Sequence, residues 1–335
     1  YKRQEHPLMK KSPVILAPVL VCLLMATVSS AGEDSEPRVW LERMASAMSQ
    51  MTYQGTFVYI SGDDMQTMRI THVSDGEGVR ERLASLSGPA REIIRDSNGV
   101  RWVLGDSQSV FADSAFKKTF FPQMPLDHSS RAAGSYKLKI GEKNRIAGHQ
   151  AVNVKVIPRD NYRYGYSLWL EKHSGLLLAW ELLDSRRSAL AKLMFTDMRI
   201  GSEVDPGELK PAGQLQKYKT VGPSLPSGRA GAASQPRWRP SRLPPGFEMT
   251  VHRFHSLPGD ENGVFEHLVY SDGLAAVSVY VESTAVAEGF HSGVKRHGTT
   301  HAFSRIEEDM LITVVGDVPA LTVQLIGKSV EQVAP

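Results

Sequence analysis

Hydrophobic and polar positions alternate along most of this chain, and the places where the alternation stops set its organisation. The clearest unit runs from Tyr162 to Ser185. Tyr162, Tyr164, Tyr166, Leu168 and Leu170 alternate with Arg163, Gly165, Ser167, Trp169 and Glu171, then Lys172-His173-Ser174-Gly175 turns the chain into Leu176 to Leu183. That spacing predicts a β-hairpin. Trp169 stands opposite the tyrosine row, so both faces of its sheet are expected to be at least partly covered.

Upstream, Trp40, Met44, Ala47, Met48 and Met51 recur at three- and four-residue steps behind Pro37, which predicts one amphipathic helix. From Tyr53 the period is two, with Tyr53, Gly55, Phe57 and Tyr59 on one face. Further strands are expected at Met65 to Ser74, Val79 to Leu86 and Arg91 to Asp96, and Asn98-Gly99 marks a two-residue hairpin before Trp102. Between Phe111 and Ser135 the pattern breaks into a loop or short-helix excursion carrying Phe116, Phe120, Phe121 and Met124. Strands resume at Tyr136 to Glu142 and Gln150 to Pro158, and end with Leu190 to Ile200. No helix separates them, so an antiparallel meander is expected, curled into a partial barrel whose concave face the helix and the excursion cover.

Asp205 to Gln235 is rich in Gly, Pro, Ser and Ala and reads as a partly ordered linker. Beyond it, strands are expected at Glu248 to Ser256, Val264 to Tyr270, Leu274 to Glu282, about two within Gly293 to Asp309, and Met310 to Val318. Pro319 is placed to start a last helix bearing Leu321, Leu325 and Ile326. The predicted fold class is α+β: a large N-terminal domain over 32–204, a linker over 205–235 and a small C-terminal domain over 236–335.

The first residues change the reading of the charge. Met9-Lys10-Lys11, the apolar run Val14 to Val28 and Ser29-Ser30-Ala31 form a secretory leader with cleavage expected after Ala31, and Tyr1 to Leu8 are taken as translated upstream sequence. The run is shorter than the roughly 20 apolar residues of a membrane span and contains Pro18. Taking the four basic and one acidic side chains of residues 1–31 from totals of 39 and 36 leaves 35 of each. A balanced mature chain has no global field to draw it onto nucleic acid. The one cysteine, Cys22, lies inside the leader, so disulfides, thiolate metal sites and cysteine nucleophiles drop out together.

Catalysis finds little support. Gly105-Asp106-Ser107-Gln108-Ser109 lacks the second glycine of a nucleophile elbow. His297 and His301 could share a strand face, whereas His252 and His255 point apart, and no flanking acid completes a zinc set. Asp63-Asp64 and Glu307-Glu308-Asp309 read as solvated turns, and no glycine-rich phosphate loop opens a helix. The expectation is therefore no enzyme, metal or cofactor. Binding remains: Met44, Met48, Phe57, Tyr59, Trp102, Phe120, Phe121, Trp169 and Trp180 supply apolar surface enough for a lipid-sized cavity. They would serve equally as filled core, which packed interiors favour.

Several stretches, in order, carry a resemblance. They are Tyr53-Gln54-Gly55-Thr56-Phe57-Val58-Tyr59, Gly88-Pro89-Ala90-Arg91-Glu92, Pro158-Arg159-Asp160 leading to Arg163-Tyr164, Leu243-Pro244-Pro245-Gly246-Phe247, Tyr270-Ser271-Asp272-Gly273-Leu274, and Ile312-Thr313-Val314-Val315-Gly316-Asp317-Val318-Pro319. Together they resemble the RseB/MucB family of exported regulators of envelope-stress sigma factors. The resemblance implies a periplasmic protein whose N-terminal domain is a half-open barrel closed by helices, similar to lipoprotein carriers, with a real cavity. It also implies a partner, the periplasmic segment of a membrane-bound anti-sigma factor, shielded from site-1 proteolysis until lipid or lipopolysaccharide fragments release it. Candidates for that contact are Trp238, Phe247, Tyr270, Asp272 and Arg296. A lipid or lipoprotein carrier or chaperone is the alternative, and self-association is left open.

Overall fold

The computed structural model describes residues 35–105, 107, 109–113, 134–213, 218–221, 235–257, 260–284 and 292–333. The leader with Ala31, and the part of the mid-chain excursion holding Phe120 and Phe121, lie outside these residues.

Helix α1 (Ser35–Gln50) opens the first module, followed by β1 (Tyr53–Ser61), β2 (Asp64–Asp75), β3 (Gly78–Ser85), β4 (Arg91–Asp96), β5 (Gly99–Leu104) and β6 (Ser109–Asp113). Then come β7 (Tyr136–Ile146), β8 (His149–Pro158), β9 (Gly165–Glu171), β10 (Leu177–Leu183), β11 (Ala189–Ile200) and β12 (Lys219–Val221). These strands make one sheet in the order β12-β6-β5-β4-β3-β2-β1-β11-β10-β9-β8-β7, antiparallel throughout except for β12 beside β6. Besides β12, β1 beside β11 is where the order departs from the meander. There the strand register slips between Thr56 and Phe57, next to Gly55, where a Cβ would sit 2.6 Å from the Asp197 carbonyl oxygen.

The edge strand β7 comes back near β11, so the sheet curls, and α1 lies against β2, β7 and β8 on its inner face. Leu41, Met44 and Ala47 of α1 are buried with Tyr53, Phe57, Ile70, Leu83, Leu168, Leu170 and Phe195. Each large apolar side chain taken fully from water contributes about 1.5–3 kcal/mol, which is what holds the helix down. Trp40, Met48 and Met51 pack at the margin of that core, so the buried stripe centres on Leu41 and Met44.

Two stretches differ from the alternation-based expectation. The hairpin strand starts at Gly165, because Tyr162, Arg163 and Tyr164 leave the sheet in a turn organised by Asp160. A Cβ at Gly165 would lie 3.0 Å from both Pro158 Cδ and the Val156 oxygen, so the close re-entry into the sheet depends on glycine. The first part of the expected linker is also fastened to the first sheet. Asp205 caps a short 3-10 helix (Pro206–Leu209), the Glu208 carbonyl accepts from Arg82 at 3.3 Å, and the Glu92 carboxylate accepts from the Ala212 amide at 3.1 Å before β12 joins β6.

The second module holds β13 (Trp238–Pro240), β14 (Glu248–Leu257), β15 (Asp260–Ser271), β16 (Ala276–Ser283), β17 (Gly293–His297), β18 (Thr300–Glu307), β19 (Met310–Gly316), α2 (Ala320–Ser329) and β20 (Val330–Gln332). Six strands form an antiparallel sheet in the order β14-β15-β16-β19-β18-β17, and β13 pairs with β20. Helix α2 buries Thr322, Val323 and Ile326 over β18 and β19, with Trp238, Phe247, Leu268, Val279 and Val314 in the same core.

Candidate functional site

The polar groups that join the two modules come mainly from the turn between β8 and β9. Asp160 Oδ1 accepts from the Tyr162 amide and from Arg163 Nε, both at 3.0 Å, and this aims the guanidinium across the junction. Arg163 and Asp272 are both fully buried and form an ion pair through Nη1 and Oδ2. Arg163 Nη2 donates to the Pro245 carbonyl at 2.7 Å, and the guanidinium lies 5.2 Å from the Phe247 ring centroid and 5.5 Å from that of Tyr136. Asp272 is equally occupied. The Tyr136 hydroxyl donates to Oδ2 at 3.1 Å, and Oδ1 accepts from the amides of Leu274 at 2.8 Å and Ala275 at 2.7 Å. A buried ion pair holds its place only when both groups are satisfied in this way.

Further bonds flank the pair. Thr322 Oγ1 donates to the Tyr162 carbonyl at 2.6 Å. His301 Nδ1 lies 2.9 Å from the Val318 carbonyl, which can only accept, so Nδ1 carries the proton and the Tyr164 hydroxyl oxygen at 3.2 Å is its second neighbour. Burial pushes the Tyr164 hydroxyl up to about 12. Burial first, and then the Asp272 charge, raise Tyr136 well above the ordinary tyrosine range, and Tyr166 is raised by burial too. All three therefore stay protonated at neutral pH, and Tyr136 remains a donor to Asp272. Leu274 adds apolar contact by packing against the first module's core.

The residues expected to line a cavity divide by depth. Met44 and Phe57 are buried in the first core, with Phe57 edge-on to Phe195 at 5.2 Å. Met48, Tyr59, Trp169 and Trp180 are half-buried against it, and the Tyr59 and Trp180 rings stand 6.0 Å apart. Trp102 is half-buried on β5. Of the residues expected at a partner contact, Trp238, Phe247 and Tyr270 are buried in the second core and Asp272 is inside the junction, whereas Arg296 is exposed on the edge strand β17. Pattern reading passed over Arg163, Tyr136, Asp160 and Thr322. The signal was present, since the Pro158 to Tyr164, Leu243 to Phe247 and Tyr270 to Leu274 stretches meet at this joint.

Three of the four histidines considered for metal have other partners: His301 faces Val318 and Tyr164, His252 Nε2 meets Glu266 Oε1 at 2.7 Å, and His255 stacks on Phe265. Among the described residues no group of three or more His, Cys, Asp or Glu side chains is placed to hold a metal.

The family model for the MucB/RseB N-terminal domain matches residues 36–213, and that for the MucB/RseB C-terminal domain matches residues 232–331. The chain belongs to the MucB/RseB family. It is 32% identical over 316 residues to the sigma factor AlgU regulatory protein MucB of Pseudomonas aeruginosa, covering 93% of this chain and 95% of that one. It is 24% identical over 324 residues to the sigma-E factor regulatory protein RseB of Haemophilus influenzae, covering 96% and 99%. Among solved structures, MucB in complex with MucA(peri) superposes with a TM-score of 0.69 at 29% identity, covering 89% of this chain and 99% of that one. The Pseudomonas aeruginosa MucA/MucB complex gives 0.71 at 30% identity, covering 90% and 100%. Both relatives are sigma factor regulatory proteins, which agrees with the expectation, drawn from the motifs, of a role other than catalysis.

Proposed function

We propose that this protein is exported to the periplasm, where it binds the periplasmic segment of a membrane-bound anti-sigma factor and shields it from site-1 proteolysis. Lipid or lipopolysaccharide fragments, seated on the concave face of the first module, release it. The reading is carried by the near full-length likeness to MucB in complex with MucA(peri). The leader ending at Ala31 supports export, and the half-buried Tyr59 and Trp180 on the concave side support an apolar ligand there. Domains over 32–204 and 236–335, joined by 205–235, are part of the same proposal.

The energetics set what the ligand must do. Moving the partner from mostly bound to mostly free needs about 5.5 kcal/mol of differential affinity for a 1:99 to 99:1 swing. Acyl burial at about 0.8 kcal/mol per CH₂ supplies that from a single chain, and a bare sugar does not. The purified mature protein is expected to capture a peptide from its own organism's anti-sigma periplasmic segment at micromolar concentration or below, and to slow its cleavage. Added lipopolysaccharide should reverse both. Failure to capture the peptide overturns the regulatory reading, and capture that lipid leaves unchanged overturns the release step alone.

A further inference from the structure

Polar side chains stand in directly paired positions across the first sheet: Tyr53 opposite His72, His72 opposite Glu81, and Glu81 opposite Arg95. Strand alternation puts this row on the face that carries Phe57, Ile70 and Leu83, so it lies on the core-facing side of the sheet. Tyr53 and His72 are fully buried and Glu81 is 2% exposed. The Tyr53 ring stacks on His72 at 4.7 Å, and Glu81 Oε2 accepts from Arg95 Nη2 at 3.1 Å. His72 Nδ1 lies 2.9 Å from the Met51 carbonyl, which fixes the proton on Nδ1 and leaves Nε2 as a lone-pair acceptor.

Four atoms of this row have no hydrogen-bonding partner among the described residues: the Tyr53 hydroxyl, His72 Nε2, Glu81 Oε1 and Arg95 Nε. An unmade bond at a buried polar atom costs about 1–3 kcal/mol, and a run of adjacent ones on an apolar face is more than a packing remainder. The charges limit what fits. Glu81 and Arg95 form an ion pair whose charges offset each other, and burial lowers the pKa of His72, so the imidazole does not gain charge readily. Two acceptors, one donor and one hydroxyl of either role suit a neutral group that donates and accepts, and they suit an anion poorly.

We propose that Tyr53, His72, Glu81 and Arg95 form a buried binding site for a neutral hydroxyl: water in the unliganded protein, and the hydroxyl end of an apolar ligand when one enters the concave face. The second source rests on the lipid reading above, and the first does not. Both can be tested on the mature protein. Imidazole ¹⁵N shifts of His72 should report the Nδ1–H tautomer with a hydrogen-bonded Nε2, and cross-relaxation should place a long-lived water beside it. In competition against a fluorescent fatty acid, dodecanol should bind about five-fold more tightly than its methyl ether, the worth of one neutral hydrogen bond. His72→Phe keeps the stacking and should erase that preference, and Tyr53→Phe, which deletes only a hydroxyl, gives a second reading should His72→Phe not fold. A bare Nε2 with no water contact, together with an alcohol preference absent in the wild type or unchanged in the variants, overturns the site. If no probe binds, the lipid reading falls and the His72 spectra alone decide.

Discussion

Removing the Arg163 guanidinium strands a buried carboxylate, because Asp272 Oδ2 would keep only the Tyr136 hydroxyl. Arg163→Ala and Asp272→Ala should each lower the unfolding free energy by about 3–5 kcal/mol, since each leaves an uncompensated charge out of water. The double variant leaves neither, so it should cost clearly less than the sum of the two. Urea unfolding of the four proteins in the cycle measures this, and strict additivity would contradict the pairing. This residue also marks how far the sequence can be read. In the alternation, Arg163 looks like one more outward-facing position of a strand, and its partner lies 109 positions further on. Nothing local links the two. Asp272, in the Tyr-Ser-Asp-Gly-Leu stretch, is expected from the sequence at a partner contact, yet its carboxylate is consumed within the molecule.

The β9–β10 turn shows the same contrast at the level of an element. Lys172 to Gly175 reads as a turn from composition alone, and the flanking strands pair as the alternation predicts. Its second role depends on tertiary geometry: Arg43 of α1 donates to the His173 carbonyl at 2.6 Å, and Gly175, at φ +81°, passes with its would-be Cβ 3.0 Å from that of Arg43. Inside the turn, Glu171 Oε2 accepts from the amides of His173 and Ser174 and from the Ser174 hydroxyl. Burial pushes the Glu171 carboxyl up, but these bonds outweigh it and the net shift is downward. A depressed carboxyl contributes stability that is fully present above its unfolded value, about 4.3, and is lost as pH falls through the lower folded value. Acid should therefore loosen the turn and with it α1. Amide protection factors in residues 172–176, which divide out the intrinsic pH dependence of exchange, should fall below about pH 4 in the wild type, and Glu171→Gln should show low protection that no longer depends on pH there. Equal pH dependence in both proteins would remove Glu171 from the account.

Across the whole molecule, the joint limits how the two modules can move. A proline-rich stretch between sheets suggests free reorientation, but its first part is bound to the first sheet through Glu92, Arg82 and β12, and the modules meet through a fully buried ion pair. A ligand that releases the partner either rearranges the modules, separating Arg163 from Asp272, or acts without separating them. The two cases differ in what an opened joint does to partner affinity. If the anti-sigma segment recognises the arrangement seen here, its apparent affinity falls with the fraction of molecules that retain it, about ten-fold when that fraction drops to a tenth. Arg163→Ala should then expand the protein in small-angle scattering, weaken capture of the segment, and leave lipid with little further effect, because ligand and mutation would be drawing on the same equilibrium. Should the variant expand and still bind and respond to lipid as the wild type does, release works within the first module, and the joint serves only to hold the protein together.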